Sequence, residues 1–332
     1  MLNDLFITRE AICYLQNYVE MEGLLLPDFC LKLQAFESKK QMSYQQWWSL
    51  LDELAALHPV PALGLEIGRL VSVKDSGVLG YLFRTSSTIG EGLNGFLRFQ
   101  RLIYAGGLAK IEQGREGSVS LVWDAEYGYS SQLSDELLLA AMVNISREIA
   151  APVSLNLFEV NFTQGVDPES VEVYEDYFAC PVKFNQARLS LSFQQETLGQ
   201  EIVHHDEVLH TLLGSQAEAL LSQVPEDELF FGELSDAIMK SLHEGCAEAD
   251  MVAKKLNMSA RTLHRKLKDK GRVYRDILRD VRKSMAIKYL DDAKLTLIEI
   301  SYLLGYSEQS TFTRAFSNWF GKSPLRYRKE VR

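Results

Sequence analysis

Cysteine is scarce in this chain of 332 residues. The four present, Cys13, Cys30, Cys180 and Cys246, stand far apart with no CxxC pair. That spacing offers neither a disulfide framework nor a thiolate metal site, and it fits reduced, mostly structural thiols in a cytosolic protein. Long apolar runs are also missing: no stretch approaches the roughly 18 consecutive apolar residues of a membrane helix. The opening Met-Leu-Asn-Asp-Leu-Phe has no basic n-region, so no signal peptide and no membrane association are expected, and the expected location is the cytoplasm. Glycines gather between Gly64 and Gly92, yet their spacing matches neither the Walker nor the dinucleotide pattern. His204, His205 and His210 are not spaced as ligands on one helix would be, since neither 204/210 nor 205/210 falls three or four apart. There is no nucleophile elbow, metal motif or recognisable carboxylate pair. The sequence therefore leads away from an enzyme and calls for no cofactor and no metal.

Basic charge is in short supply as well, with 35 Lys+Arg against 45 Asp+Glu and a net charge of −10. Its distribution is uneven. Residues 251–332 hold 20 Lys+Arg and 8 Asp+Glu, a net +12, which leaves −22 on the first 250 residues. Within the basic segment one pattern occurs twice. Ala-Lys-Lys-Leu-Asn-Met-Ser (253–259) precedes Arg-Thr-Leu-His-Arg-Lys-Leu (261–267), and Ser-Tyr-Leu-Leu-Gly-Tyr-Ser (301–307) precedes Ser-Thr-Phe-Thr-Arg-Ala-Phe (310–316). The two registers differ by 48 to 49 residues, which indicates duplication of a small helical unit.

Each copy reads as a short helix, a tight turn and a second helix. Asn257 and Gly305 occupy the position where a left-handed residue ends the first helix. Ser259 and Ser307 follow as expected N-caps of the second. Leu263 with Leu267, and Phe312 with Phe316, make one apolar stripe each. The open faces then carry Arg261, Thr262, His264, Arg265 and Lys268 in the first copy, and Glu308, Gln309, Ser310, Thr313 and Arg314 in the second. Arg, Gln and small hydroxyl residues suit base edges and phosphates. Such a pair is a helix-turn-helix, whose second helix enters the major groove. Between the copies, 273–292 predicts a long helix with Ile277, Val281, Met285 or Ala286, and Leu290 inward. Arg275, Arg279, Arg282 and Lys283 are expected outward. This rigid strut would hold the reading helices ~34 Å apart, one turn of duplex.

The run Ile300-Ser301-Tyr302-Leu303-Leu304-Gly305-Tyr306-Ser307, with Phe312-Thr313-Arg314-Ala315-Phe316, Gly321, Ser323-Pro324 and Tyr327-Arg328, closely resembles the signature of AraC/XylS-type bacterial transcription regulators. The resemblance spans about residues 230–332. It implies that Arg261, His264 and Arg265, and Gln309, Ser310 and Arg314, approach bases or nearby backbone. Ser317 departs from the pattern, since many members carry Lys there, and that phosphate contact is not carried over.

Upstream, residues 8–104 read as mainly helical, with apolar spacings over 8–21, 28–37, 43–57 and 61–71, and with Thr88-Ile89-Gly90-Glu91 as a capping box opening a helix through Tyr104. Past about Gly107 the period changes. Residues 117–123, 154–162 and 188–193 alternate like half-buried strands, 134–151 is a helix, and 173–179 a short one. The expected domain is α+β, helices first and a largely antiparallel sheet after. Its Leu-Gly-Tyr and Ser-Ser-Thr-Ile-Gly-Glu-Gly-Leu segments, with Tyr174 to Phe184, look like the effector domain of an AraC subfamily named for arabinose binding. Members of that subfamily include regulators of amino-acid catabolism and responders to lipophilic signals. Asp206 to Val224 reads as an amphipathic helix with Leu209, Leu212 or Leu213, Gln216, Leu220 and Val224 near one stripe. That stripe suits packing on its own domain or a dimer seam.

The expected organisation is a two-domain chain: an effector-binding and dimerisation domain over 1–222, a linker over 223–230, and an all-α DNA-binding domain over 231–332 with two helix-turn-helix units joined by a long helix. The expected activity is effector-controlled, sequence-specific binding of double-stranded promoter DNA. The effector class is open between an amino acid and a lipophilic signal, and RNA polymerase and a second copy of the chain stand as further partners. Trp47, Trp48, Phe83, Arg84 and Tyr104 fit core, surface or pocket equally well. A ligand-independent regulator whose first domain only oligomerises is the alternative, and an enzyme fused to a DNA-binding domain the remote one.

Overall fold

The computed structural model describes residues 6–37, 39, 41–104, 108–123, 131–151, 155–224, 226–291 and 295–330. Residues 105–107, 152–154, 225 and 292–294 lie outside that set. With them go the expected change of period near Gly107, the start of the 154–162 strand, one linker residue and the end of the long helix. The chain divides into two compact units, with the boundary between Pro225 and Glu226.

The first unit begins with β1 (Phe6–Thr8), α1 (Glu10–Met21), α2 (Pro27–Glu37), β2 (Gln41–Ser43), α3 (Tyr44–Leu57), α4 (Leu63–Gly68), α5 (Gly77–Thr85) and α6 (Ile89–Phe99). It continues with β3 (Lys110–Gln113), β4 (Ser118–Trp123), α7 (Gln132–Ala150), β5 (Leu157–Asn161), α8 (Val171–Phe178), β6 (Val182–Lys183), β7 (Leu189–Gln194), α9 (Gln195–Leu198) and α10 (Glu207–Gln223). Helices thus come first and a sheet later. The main sheet has the order β3-β4-β7-β5-β6, antiparallel except for the β5/β6 pair. The small β1/β2 pair leaves no mark in the sequence pattern, because three-residue strands carry too little periodicity to register.

Local chemistry sets these boundaries. Ser43 opens α3 with a capping box: its side chain accepts from the Gln46 N–H, and the Gln46 side chain accepts from the Ser43 N–H. Trp47, Leu50, Leu51 and Leu54 then line the buried face of α3. At α6 the box is split. Thr88 accepts from the Glu91 N–H, but the Glu91 carboxylate turns back one residue further, to the N–H and hydroxyl of Ser87. The helix also ends at Phe99, before the expected Tyr104, whose hydroxyl donates to Gln100 inside the core.

Two expectations about faces are corrected by the packing. Strands β4 and β7 were expected to be half-buried, yet all six residues of β4 and all but Gln194 of β7 are buried. The alternating residues that suggested a wet face are serines small enough to be covered, and Ser120 and Ser192 satisfy each other across the pair at 2.7 Å. In α10 the contacting stripe is Leu213, Ala217 and Leu221, packed with Leu79, Leu82 and Phe99. Leu209 and Leu212 are exposed. The helix is turned by polar pins: His210 Nδ1 lies 3.2 Å from the Leu82 carbonyl, and Arg98 pairs with Glu218.

Helices α4 and α7 pack at backbone distance through Gly64 and Gly68. A Cβ on Gly64 would lie 2.4 Å from the Leu133 carbonyl oxygen, and one on Gly68 2.5 Å from the Ala140 Cβ. Helix α4 has no capping side chain of its own, because Ala62 precedes it. The buried Glu136 of α7 supplies the acceptor instead, taking the Gly64 N–H at 3.0 Å, the Tyr174 hydroxyl at 2.5 Å and the Gln132 amide at 2.9 Å. Burial pushes this carboxyl above its ordinary range, against the pull of those three donors.

The second unit is all helical: α11 (Glu226–His243), α12 (Ala249–Lys255), α13 (Ala260–Asp269), α14 (Tyr274–Asp291), α15 (Leu297–Leu303), α16 (Gln309–Phe320) and α17 (Pro324–Glu330). Helix α11 starts inside the stretch expected as linker. It also enlarges the repeat. Helices α11 and α14 are both 18 residues long and α12 and α15 both seven, each pair offset by 48 in sequence. The duplicated unit is therefore three helices, and the helix read as a strut between two copies is the first helix of the second. Ile277, Val281, Met285, Ala286 and Leu290 of α14 are all at most 1% exposed.

Candidate nucleic-acid interface

Both helix-turn-helix units are built on the same turn. In the first, the Met258 N–H donates to the Ala253 carbonyl and the Asn257 N–H to the Lys254 carbonyl. In the second, the Tyr306 N–H donates to Ser301 and the Gly305 N–H to Tyr302. This pair of bonds closes a helix through a left-handed residue, and Asn257 and Gly305 have φ of 54° and 69°. The turn that sequence placed by residue type is thus present twice, at equivalent positions.

The helix starts differ. Ser259 caps α13, accepting from the Thr262 N–H at 3.1 Å. Replacing it with Ala is expected to cost about 1 kcal/mol of unfolding free energy in this unit, read by denaturant titration. At α16 the N-cap is Glu308, one residue later than the expected Ser307, and its side chain makes no capping bond. The carboxylate instead accepts from the Ser310 hydroxyl at 3.0 Å.

On α13, Leu263 and Leu267 are fully buried while Arg261, His264, Arg265 and Lys268 are exposed. These four fall at i, i+3, i+4 and i+7, so they form one stripe opposite the core. Thr262 is half-buried and its hydroxyl lies 2.9 Å from Ser259 Oγ, tied to the cap. The His264 ring stands edge-on to Tyr274, 6.4 Å between centroids. Burial raises the Tyr274 phenol well above its ordinary range, so it remains a donor to the Ala247 carbonyl. On α16, Phe312 and Phe316 are buried, Ser310 and Arg314 exposed, and Gln309 and Thr313 half-buried. The first face is cationic and the second nearly neutral.

Of the α14 cations expected outward, Arg275 and Arg279 are exposed, and Arg279 pairs with Asp276 at 2.8 Å. Lys283 is half-buried. Arg282 is a correction. Its guanidinium turns inward, donating to the Leu304 carbonyl at 2.8 Å and the Gly305 carbonyl at 3.1 Å. Arg328 of α17 likewise donates to the Leu290 carbonyl at the end of α14. Helical periodicity places such residues on a polar face and cannot show that a neighbouring element brings carbonyls to meet them.

The histidine spacing predicts no metal site. In the structure His205 Nδ1 lies 2.9 Å from the Thr85 carbonyl, and among the described residues no group of three His, Cys, Asp or Glu side chains gathers in ligand geometry. Trp47, Phe83 and Tyr104 belong to the core, while Trp48 and Arg84 are half-buried.

Comparison with known proteins matches residues 26–202 to the arabinose-binding domain of AraC transcription regulators, N-terminal part, and residues 252–330 to a helix-turn-helix domain. The chain belongs to the AraC transcription regulators. The first match lies within the first unit and covers α2 to the residues just before α10; the second begins inside α12, so α11 precedes it. Among the AraC-type relatives, the ornithine utilization regulator of Pseudomonas aeruginosa is 29% identical over 294 residues, covering 87% of this chain and 85% of its own. The regulator VqsM of the same species is 26% identical over 328 residues, covering 95% of each. VirS of Mycobacterium tuberculosis is 25% identical over 293 residues, covering 86% of this chain and 84% of its own. This AraC-type chain is accordingly a DNA-binding transcription regulator with an arabinose-binding-like first domain. Among the described residues no helix is long and apolar enough to cross a membrane.

Proposed function

We propose that the protein is a sequence-specific regulator that places α13 and α16 in successive major-groove segments of promoter DNA and is controlled by a small-molecule effector held in its first domain. The observation that carries the reading is the repeated turn, with an exposed reading stripe after each copy and +12 of charge on residues 251–332. Affinity then comes mostly from phosphate neutralisation by Arg261, Arg265 and Lys268, and specificity from a few base contacts by residues among His264, Gln309, Ser310, Thr313 and Arg314, with Thr262 at the edge of the first face. The acidic first domain, at −15 over residues 1–225, is repelled by DNA and leaves binding to the second. A second copy of the chain and RNA polymerase are the protein partners this role calls for.

A footprint on DNA fragments selected by the protein tests the DNA half: protection over about two duplex turns per monomer is expected. Protection of one turn would sink the two-unit reading. For the effector half, the relative named for ornithine utilization makes amino acids the first class to screen. A stabilising compound is expected to raise Tm at ligand excess, by about 2.7 kcal/mol of linkage at 100 Kd. If amino acids, fatty acids and sugars all leave Tm unchanged, and residues 226–332 alone regulate as the whole chain does, control is ligand-independent.

A further inference from the structure

The two three-helix repeats agree in the lengths of their first two helices and in turn geometry, and their side chains differ at the half-buried Arg282. With the offset of 48, Arg282 of α14 corresponds to Leu234 of α11. Leu234 is fully buried in the apolar core. Arg282 instead reaches the turn of its own repeat and holds all three residues of it. Its Nε donates to the Leu304 carbonyl at 2.8 Å and its Nη2 to the Gly305 carbonyl at 3.1 Å, and its guanidinium lies 4.5 Å from the centroid of the Tyr306 ring.

Gly305 is shaped for this contact. Beyond its φ of +69°, a Cβ there would meet Arg282 Nη2 at 3.3 Å and Leu242 Cδ2 at 3.0 Å. The glycine thus satisfies the left-handed turn and also leaves room for the guanidinium.

We propose that Arg282 is a positioning residue that fixes the angle of the second reading helix on α14, and thereby sets the spacing between half-sites that the protein accepts. A planar fork on two carbonyls with one face stacked on an aromatic ring has a single favourable geometry. Helix α16 begins four residues past Gly305, at Gln309. A pivot at the turn therefore moves Ser310 and Arg314 relative to the first reading stripe. Without Arg282 the two backbone bonds of the turn remain, from Tyr306 to Ser301 and from Gly305 to Tyr302. The helix pair survives while its tilt is released. At the corresponding place in the first repeat stands Leu234, whose side chain cannot form such a fork. This inference rests on the DNA-reading role proposed above.

The test uses the full-length chain and duplexes that the wild type selects from a random-sequence library. The interval between the two selected half-sites is then changed by one and by two base pairs, and a further duplex keeps only the half-site read by α13. Wild type is expected to prefer one interval. Arg282→Ala is expected to bind that interval about 10-fold less tightly, to show a flattened preference across intervals, and to bind the single half-site as wild type does. Arg282→Lys keeps the charge but not the fork or the stack and should fall between. Tyr306→Leu removes the stack alone and should shift the preference in the same direction, which keeps the test open if Arg282→Ala fails to fold. An unchanged interval preference in the folded variants, or an equal loss on the single half-site, overturns the proposal. If the wild type itself selects no sequence, the DNA-reading role falls, and this inference with it.

Discussion

Replacing Arg261, Arg265 and Lys268 together with Gln is expected to weaken binding to duplex DNA by roughly two to three orders of magnitude at 0.1 M salt. The slope of log affinity against log salt should become shallower by about 2.7, at about 0.9 for each phosphate that is no longer neutralised. All three side chains are exposed on the stripe opposite Leu263 and Leu267, so folding stability should move by no more than about 0.5 kcal/mol. Arg314→Gln on the second unit should change the slope by about 0.9 at most. If Arg314 makes a bidentate base contact instead, the slope hardly moves, and about 1–3 kcal/mol is lost on the selected site but not on random DNA. Fluorescence anisotropy titrations across a salt series separate these outcomes. Equal slope changes from the two faces would refute the assignment of most phosphate contacts to α13.

The second large effect concerns stability and sits at Glu136. This carboxylate is 1% exposed and serves three donors, the Gly64 N–H, the Tyr174 hydroxyl and the Gln132 amide. Glu136→Ala strands these donors in the interior. Its expected cost is about 3–5 kcal/mol, a large share of the roughly 5–15 kcal/mol typical of a domain. Glu136→Gln keeps an acceptor of the same shape and should cost far less. The pH dependence follows from the raised folded pKa, caused first by burial. The folded state holds the Glu136 proton more tightly than the unfolded chain does. Its contribution is therefore full below the ordinary carboxylate value and is lost as pH rises through the elevated folded value. Thermal melts from about pH 4 upward should show this decline in wild type and a flatter profile in Glu136→Gln. Equal stability of the Ala and Gln variants at every pH would rule out the acceptor role.

The turn and cap residues were legible because they act locally. Asn257, Gly305 and Ser259 are recognisable from residue type and position alone, and each is found in the expected role. Ser307 misled by one residue: its residue type suits a cap, but the backbone starts the helix after Glu308, whose side chain makes no capping bond. The strands β4 and β7 misled in another way. Alternating serine suggests a wet face, but a serine is small enough to bury when a partner hydroxyl stands across the ladder, as Ser192 does for Ser120. In α10, Leu212 and Leu213 were indistinguishable by periodicity, and the pin between His210 and α5 turns Leu213 inward.

What the sequence by itself determined is the fold class, the duplicated helix-turn-helix, the basic exposed face of α13 and the family. These follow from short-range rules: helical periodicity, left-handed turn residues and the segregation of charge along the chain. Only the tertiary structure decided where Arg282 and Glu136 spend their charge. Both lie on helices whose own pattern leaves them polar, and in both cases the partner is backbone from an element distant in sequence, 22 residues away for Leu304 and 72 for Gly64. A one-dimensional pattern records a residue's face but not the carbonyl or amide that folding brings to it. That is why the two helix-turn-helix units were visible beforehand, while the contact of Arg282 with the turn of the second was not.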